Sequence, residues 1–423
     1  MVEEVEEEPT RDEGTGLLRG IGRGQPFRAL HNRDYSLLWT GQFGHSAALW
    51  VEAIARSWLI WELTGSATLL ATVSLLRAVP MLFFGLVGGV LADRFDKRKI
   101  LIACQTTTLV NYLIIATLIA TGVVQVWHVL LSAFVMGCSM SFNQPARTSL
   151  IPSLVKEDEL HSAVALNAAA MNVMRVVGPG LAGLLIAPIG VSGVYYISAG
   201  VYVLTLVTTI IMRVPAVTAR AERTSLHADL GETFGYVYRT KTILALVLLA
   251  LVPMLFGMPY MVLMPVMADE VLHVGASGFG WLQSLAGVGA LVVVLLIAAL
   301  ARIARKGLLI LIGIFAFGGL IMAFSQSTWF PLSLAIVAFI GLTATAARVF
   351  INTSMLEIAP PDMRGRVMSV YTLDRGLVPL GTMVAGPLAD AFGAPLALLA
   401  MGGVCMVVPL LVGLRFPFVR RMS

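Results

Sequence analysis

The sequence predicts an all-α membrane protein in which twelve transmembrane helices form two pseudo-symmetric bundles of six. The composition, the series of apolar segments and the placement of the basic residues predict it. Of 423 residues, 58% are hydrophobic and 13% charged, and the mean hydropathy is +0.86. Soluble domains carry about 25% charged residues, so we expect nearly the whole chain to lie in the lipid bilayer. The net charge of +5 does not indicate a nucleic-acid partner, because the basic residues lie where membrane orientation requires them.

The apolar segments are each roughly 20 or more residues long, which is the length needed to cross a bilayer. A polar tail, residues 1–33, precedes them, and a short tail, residues 417–423, follows. The predicted spans are Tyr35–Leu63, Ala67–Ala92, Lys99–Thr121, Val126–Leu154, Leu160–Ala187, Val191–Met212, Thr242–Met267, Gly275–Ala301, Gly307–Phe324, Thr328–Ile358, Met363–Ala391 and Ala394–Phe416.

The basic residues between spans all fall on one side of the membrane if both termini are cytoplasmic. They cluster at 94–99, 213–241, 302–306 and 415–421, whereas the opposite loops contain no Lys or Arg. Cytoplasmic loops are enriched in these residues, so the asymmetry predicts the orientation. The long connection 213–241 divides the spans into two predicted bundles, 34–212 and 242–416, with a cytoplasmic linker between them.

The two halves show an internal repeat. Shifted by 203 positions, Gly178 falls on Gly381, Gly183 on Gly386 and Gly190 on Gly393. These matches lie on the same helix of each half, which favours related bundles with a binding site between them near the midplane of the membrane.

Between the second and third spans, six charges occupy one turn, from Asp93 to Lys99. The turn and the residues before it resemble the corresponding loop of the major facilitator superfamily, with matches at Gly89, Leu91, Ala92, Asp93, Arg94, Arg98 and Lys99. Asp96 departs from the family pattern, which usually has Gly there. The resemblance implies the major facilitator fold. It also implies that Asp93 is held against the start of span eleven and a basic residue of span four, where Asp362 and Arg147 stand.

Further stretches narrow the resemblance, namely Leu37–Gln42, Trp58–Ser66, Leu76–Pro80, Asn172–Gly183 and Met363–Ser369. They resemble the bacterial branch that contains enterobactin exporters and macrolide-efflux carriers. The resemblance implies a monomer in the bacterial cytoplasmic membrane that exports a small organic molecule by alternating access, with protons as the coupling ion and no cofactor. Drug/proton antiporters often carry a buried arginine on span four. We expect none in the apolar core of that span here, and Arg175 would then have to substitute for it.

Charged residues within the spans are the main functional candidates, because ions are costly in the membrane. Glu52 and Arg56 share a helix face, and Arg77 lies at a similar depth on the next span. Two interpretations remain open. Glu52 forms a structural ion pair with Arg56 or Arg77, or these residues take part in proton or substrate binding.

Arg175 lies about 22 Å from the cytoplasmic end of span five, near the midplane, and has no acid near it in sequence. We expect it to face a cavity. Asp374 and Arg375 lie at comparable depth on span eleven. Neighbouring helical residues point in different directions, so we expect one to face the cavity and the other to lock the bundle.

Gly178, Pro179 and Gly183 resemble part of the span-five motif of drug/proton antiporters, which forms a tightly packed kink. Ordinary small-residue packing remains the alternative. Asn172, Tyr260 and Tyr371 are predicted to line the cavity by family resemblance. Five methionines, Met254, Met258, Met261, Met264 and Met267, would give span seven a soft face.

Arg147 and Arg348 are predicted to lie closer to the cytoplasmic surface. There, either would pair with Asp93 or Asp390 as a gate, or extend to water.

Three further readings remain at this point: uptake by symport, translocation of lipid, and a receptor or scaffold that does not transport. An enzyme is not expected, because the sequence has no phosphate-binding loop, metal-ligand cluster or catalytic triad.

Overall fold

The structure is a computed structural model. It describes residues 25–214, 238, 240–299, 305–360, 363–364, 367–368, 371 and 376–420, and for residues 25–26, 85–94, 417 and 419 it describes the backbone alone. The long helices, numbered in chain order, are α1 Arg33–Thr64, α2 Ala67–Arg94, α3 Lys97–Ala120, α4 Val126–Leu154, α5 Leu160–Ile211, α6 Lys241–Val252, α7 Tyr260–Val266, α8 Gly275–Ala299, α9 Lys306–Gln326, α10 Phe330–Ile358, α11 Val378–Phe392 and α12 Ala394–Arg415.

The all-α membrane fold is confirmed. Nine stretches of the described residues are long and apolar enough to cross a membrane, and one of them, Glu157–Ile211, has 55 residues. That stretch is divided at Gly190, whose φ of 69° and ψ of 174° are not helical. The predicted number of twelve spans and the domain boundaries stay predictions, because most of the linker lies outside the described residues.

The helices pack as two groups, which we call the N-terminal group (α1–α5) and the C-terminal group (α6–α12). Within the first, α1 packs along α5 and α2 along α4; within the second, α8 packs on α10 and α9 on α12. The pairs α5–α8 and α2–α11 join the two groups. Two positions related by the internal repeat make equivalent contacts between the groups: Gly183 on α5 packs against α8, and Gly386 on α11 packs against α2.

The seventh span is not a regular helix. Two π-helical turns, Pro253–Gly257 and Met267–Val271, flank α7. Pro259 has no N–H to donate to the carbonyl of Leu255, so the helix ladder is interrupted there. Helix α11 approaches this carbonyl so closely that a Cβ at Gly381 would collide with it. The interruption therefore sits where the seventh span meets α11, and π-turns of this kind are frequent at functional sites.

Candidate transport cavity

A cavity of about 210 Å³ lies between the two groups of helices. Trp50, Arg175 and Pro179 line it from the N-terminal group, and residues of α8, α10 and the seventh span line it from the other. An adjoining cavity of about 380 Å³ shares Met258, Met261 and Arg348 with the first, and reaches α2 and α11. The shared walls make the two cavities one crevice. Its place between the groups is where secondary transporters bind their substrates.

A larger groove of about 650 Å³ lies on α3 and α4. Its lining residues belong to these two helices alone, and Val110, Ile114 and Leu131 among them are exposed on the outer surface of the helices. The groove therefore faces the bilayer from within one group. It is not on a path that alternates between the two sides of the membrane.

Arg175 lies in the wall of the central cavity, as the sequence predicted. Its Nε is buried, and its side chain has no hydrogen-bond or salt-bridge partner in the described part of the chain. Arg348 lines the same cavity, and the two guanidinium groups repel one another electrostatically. Tyr260, which is 3% exposed, lies near both. The cavity wall thus holds a cation that the described residues do not neutralise.

Glu52 is neutralised by two arginines inside the N-terminal group. Its Oε1 accepts a hydrogen bond from Nε of Arg56 at 2.7 Å, and its Oε2 accepts one from Nη1 of Arg77 at 3.1 Å. Both pairs that the sequence left as alternatives are present together. Glu52 is fully buried and is absent from the lining of the central crevice, so in this conformation its carboxylate faces its arginine partners.

Two carboxylates join the groups at the predicted external side. Asp390, at the end of α11, accepts hydrogen bonds from the Ser66 hydroxyl at 2.8 Å and from the backbone N–H groups of Ala67 at 2.6 Å and Thr68 at 3.0 Å. Asp269 accepts one from the indole N–H of Trp61 at 2.8 Å. The cavity residues Ser74 and Thr382 lie about two helical turns further into the membrane. The crevice is therefore closed over on its predicted outer side.

The Asp390 contacts correct one prediction. We predicted Asp390 as a possible cytoplasmic gate partner for Arg147 or Arg348, but it caps the start of α2 at the opposite end of the spans. A helix N-terminus carries partial positive charge and unpaired N–H groups, so it can hold a carboxylate without any basic side chain.

The Gly178–Gly183 segment of α5 packs tightly against neighbouring helices. A Cβ at Gly178 would lie 2.7 Å from the Cβ of Trp50, and one at Gly183 would lie 2.8 Å from the carbonyl of Ala276. Across this contact the Gly180 N–H donates to the hydroxyl of Ser284 at 2.7 Å. The helix is continuous through Pro179. The segment thus forms the close contact of α5 with α8.

Arg147 differs from its prediction. Its side chain is fully buried, so the alternative in which it extends to water is wrong. Span four thus carries a buried arginine about two helical turns before its predicted cytoplasmic end, whereas the expectation concerned the apolar core of the span. The Nε of Arg147 lies 3.5 Å from Oδ1 of Asn143, and both Nη atoms have no hydrogen-bond partner among the described residues. The sequence predicted correctly that Arg147 lies near the end of α4. It did not show that α1 and α5 surround the side chain, with Gly41 and Tyr202 close to it, and this enclosure keeps it from water.

In the charged turn, Asp96 caps the start of α3 by accepting from the N–H groups of Arg98 and Lys99. The Arg98 guanidinium donates to the carbonyls of Thr209 and Ile210 at the end of α5. Gly89, Asp93 and Arg94 lie on α2 where the backbone alone is described. Asp362, Asp374 and Arg375 lie outside the described residues.

The uncharged candidates separate into cavity and non-cavity residues. Tyr260 lines the cavity. Tyr371 is 6% exposed and is absent from the lining of the crevice. Its hydroxyl donates to the backbone carbonyl of the cavity residue Arg348 at 3.5 Å. Asn172 donates to the carbonyl of Ala168 on its own helix and is absent from the cavity lining. Of the five methionines, Met254, Met258 and Met261 line the crevice, whereas Met264 and Met267 are packed in the core.

Sequence reasoning missed Asp269 altogether and placed Asp390 on the wrong side of the membrane. One signal was available: the external loops contain no Lys or Arg, so an acid there must bind a backbone or neutral donor. It also missed Gln283 and Thr345 in the cavity wall, which no charge or motif distinguishes.

The family model described as transmembrane secretion effector, within the major facilitator superfamily, matches residues 24–422. The chain belongs to this family. It is therefore a multi-pass membrane transporter of small molecules.

Curated relatives of the family cover most of the chain at low identity. The staphyloferrin A transporter of Staphylococcus aureus is 22% identical over 81% of this chain and 86% of its own. The multidrug efflux pump Tap of Mycolicibacterium fortuitum is 25% identical over 83% and 88%. The macrolide efflux protein A of Streptococcus pyogenes is 24% identical over 84% and 89%.

Solved structures share the fold. An inward-facing, unoccupied bacterial homologue of the lysosomal transporter Spinster superposes with a TM-score of 0.70 at 15% identity, covering 94% of this chain and 99% of that one. The nucleoside transporter NupG gives 0.71 at 13% identity, covering 90% and 99%. The major facilitator fold predicted from the charged turn is thereby confirmed.

Proposed function

We propose that the protein exports a small organic molecule across the cytoplasmic membrane of a bacterium by proton-coupled antiport. The observation that carries the proposal is the crevice between the two groups of helices, closed over on its predicted outer side by Asp269 and Asp390. The relatives include a multidrug efflux pump and a macrolide efflux protein, which supports export. Both termini are cytoplasmic in this proposal, as the basic loops indicate, and the monomer is the transporting unit.

In the proposed cycle, the crevice opens to the cytoplasm in the conformation described here. Substrate binds against Arg175, Tyr260 and the methionine face, and the groups then rock so that the external contacts separate. A proton returns on a membrane carboxylate. Glu52 and Asp374 are the candidates, and Glu52 must first leave one of its two arginines to accept a proton.

Inside-out membrane vesicles with an acidified lumen test direction and coupling together. A lumen pH dye should report proton release when a transported solute is added, and an uncoupler should abolish accumulation of that solute. The probes are a macrolide and an aromatic carboxylate. Release without added solute, or accumulation that is indifferent to the uncoupler, would contradict antiport.

Two variants test the carboxylates, Glu52→Gln and Asp374→Asn. If coupled transport survives in both, the assignment of the proton to these groups is wrong. Glu62→Gln is the matched control, because Glu62 is an exposed acid near the end of the same helix as Glu52.

A further inference from the structure

The cavity wall carries a positive charge that nothing described in the chain balances. Within the described ranges Arg175 has no partner for its side chain, and the residues there that line the crevice include Arg348 but no Asp or Glu. A charged group in an apolar site normally has a counter-charge, because an unpaired one costs several kcal/mol or more. A bound molecule is the natural source of the missing charge.

Most of the remaining lining residues are apolar or polarisable. Met258 and Met261 lie on one wall, Ala286 and Ala344 on others, and Trp50 supplies an aromatic surface beside Arg175. Methionine side chains adapt to irregular shapes and contact aromatic rings favourably. A ligand that fits this lining has a hydrophobic, preferably aromatic, body.

We propose that the transported substrate is an organic anion with an apolar body, and that Arg175 binds its anionic group. This rests on the proposed function, since it takes the crevice as the substrate site. A guanidinium presents paired N–H donors that match a carboxylate in planar, bidentate geometry.

Three probes with one naphthalene body test the charge preference. Isothermal titration calorimetry of the purified full chain would compare 2-naphthoate, 2-naphthalenemethanol and 2-naphthylmethylammonium. Wild type should bind the naphthoate at least tenfold more tightly than the alcohol, and the ammonium most weakly. Arg175→Gln should remove the difference between naphthoate and alcohol, Arg175→Lys should retain part of it, and Arg175→Glu should favour the ammonium.

Thr345→Val is the matched control, because it alters the cavity wall without changing its charge. It should preserve the naphthoate preference. Wild type that binds the three probes equally, prefers the ammonium or binds none of them would overturn the proposal, as would a preference that survives in Arg175→Gln. The vesicle assay reports transport and coupling separately, so export of a macrolide with no anion preference would leave the proposed function standing.

Discussion

Glu52 and Arg175 are both ionisable residues within the membrane spans, yet only one of them is neutralised. Glu52 is fully buried and both of its oxygens are held by arginines. Arg175 borders a cavity and has no side-chain partner among the described residues. Burial and charge alone therefore do not show which of the two ions is left for a ligand to neutralise. The presence or absence of a counter-charge does, because an unbalanced ion stays in a membrane protein only where something else stabilises it.

The difference also assigns the two residues to different tasks. The Glu52–Arg56–Arg77 cluster ties α1 to α2 within one group of helices, so it can move as a unit. Arg175 lies where α5 meets the C-terminal group, so its surroundings change whenever the groups move relative to one another.

The largest expected effect comes from Glu52→Gln. The substitution leaves Arg56 and Arg77 with no ionised partner in the part of the chain that the structure describes, and removing one member of a buried ion pair costs roughly 3–5 kcal/mol. We expect a large drop in the melting temperature of the purified protein, measured by differential scanning fluorimetry. Glu62→Gln, on the exposed part of the same helix, should change it little. A small effect of Glu52→Gln would show that the cluster is not structural.

A smaller effect is expected from Asp390→Asn. Asp390 is also fully hydrogen-bonded, but it is exposed and holds a helix N-terminus rather than two buried cations. Loss of such a capping interaction costs about 0.5–2 kcal/mol, and about 1.4 kcal/mol shifts a two-state population tenfold. The variant should therefore shift the groups towards an arrangement that is open on the outer side.

Spin labels at Thr121 and Thr328, on exposed external turns of the two groups, would measure the Asp390→Asn shift as a longer distance between the labels. Glu270→Gln is the matched control, because Glu270 is an exposed acid on the same side with no cross-group bond among the described residues. Equal distance distributions in Asp390→Asn and wild type would exclude Asp390 as an external latch.

The sequence predicted the fold and identified the main charged residues within the spans. It predicted less about which groups surround those residues, for physical reasons that differ from residue to residue. The Glu52–Arg56 spacing and the common depth of Arg77 follow from helix geometry, so both pairs were foreseeable. The lack of an acidic residue near Arg175 could likewise be read from the sequence. Two of the three partners of Asp390 are backbone N–H groups, which nearly every residue type has, so no residue type marks them. The burial of Arg147 depends on which helices surround α4 laterally, and position along a span carries no information about that.

The smallest expected effect on stability comes from Arg175→Met, and it tests the comparison most directly. The substitution removes a charge that no described residue balances, so we expect an unchanged or slightly higher melting temperature. Arg56→Met makes the same chemical change but removes a partner of the buried Glu52 carboxylate, and it should lower the melting temperature by several degrees. Adding 2-naphthoate should raise the melting temperature of wild type and not that of Arg175→Met, because a ligand stabilises only the state that binds it. Equal losses in the two methionine variants would mean that Arg175, like Arg56, is held by an internal partner, and the distinction between the two kinds of intramembrane charge would fail.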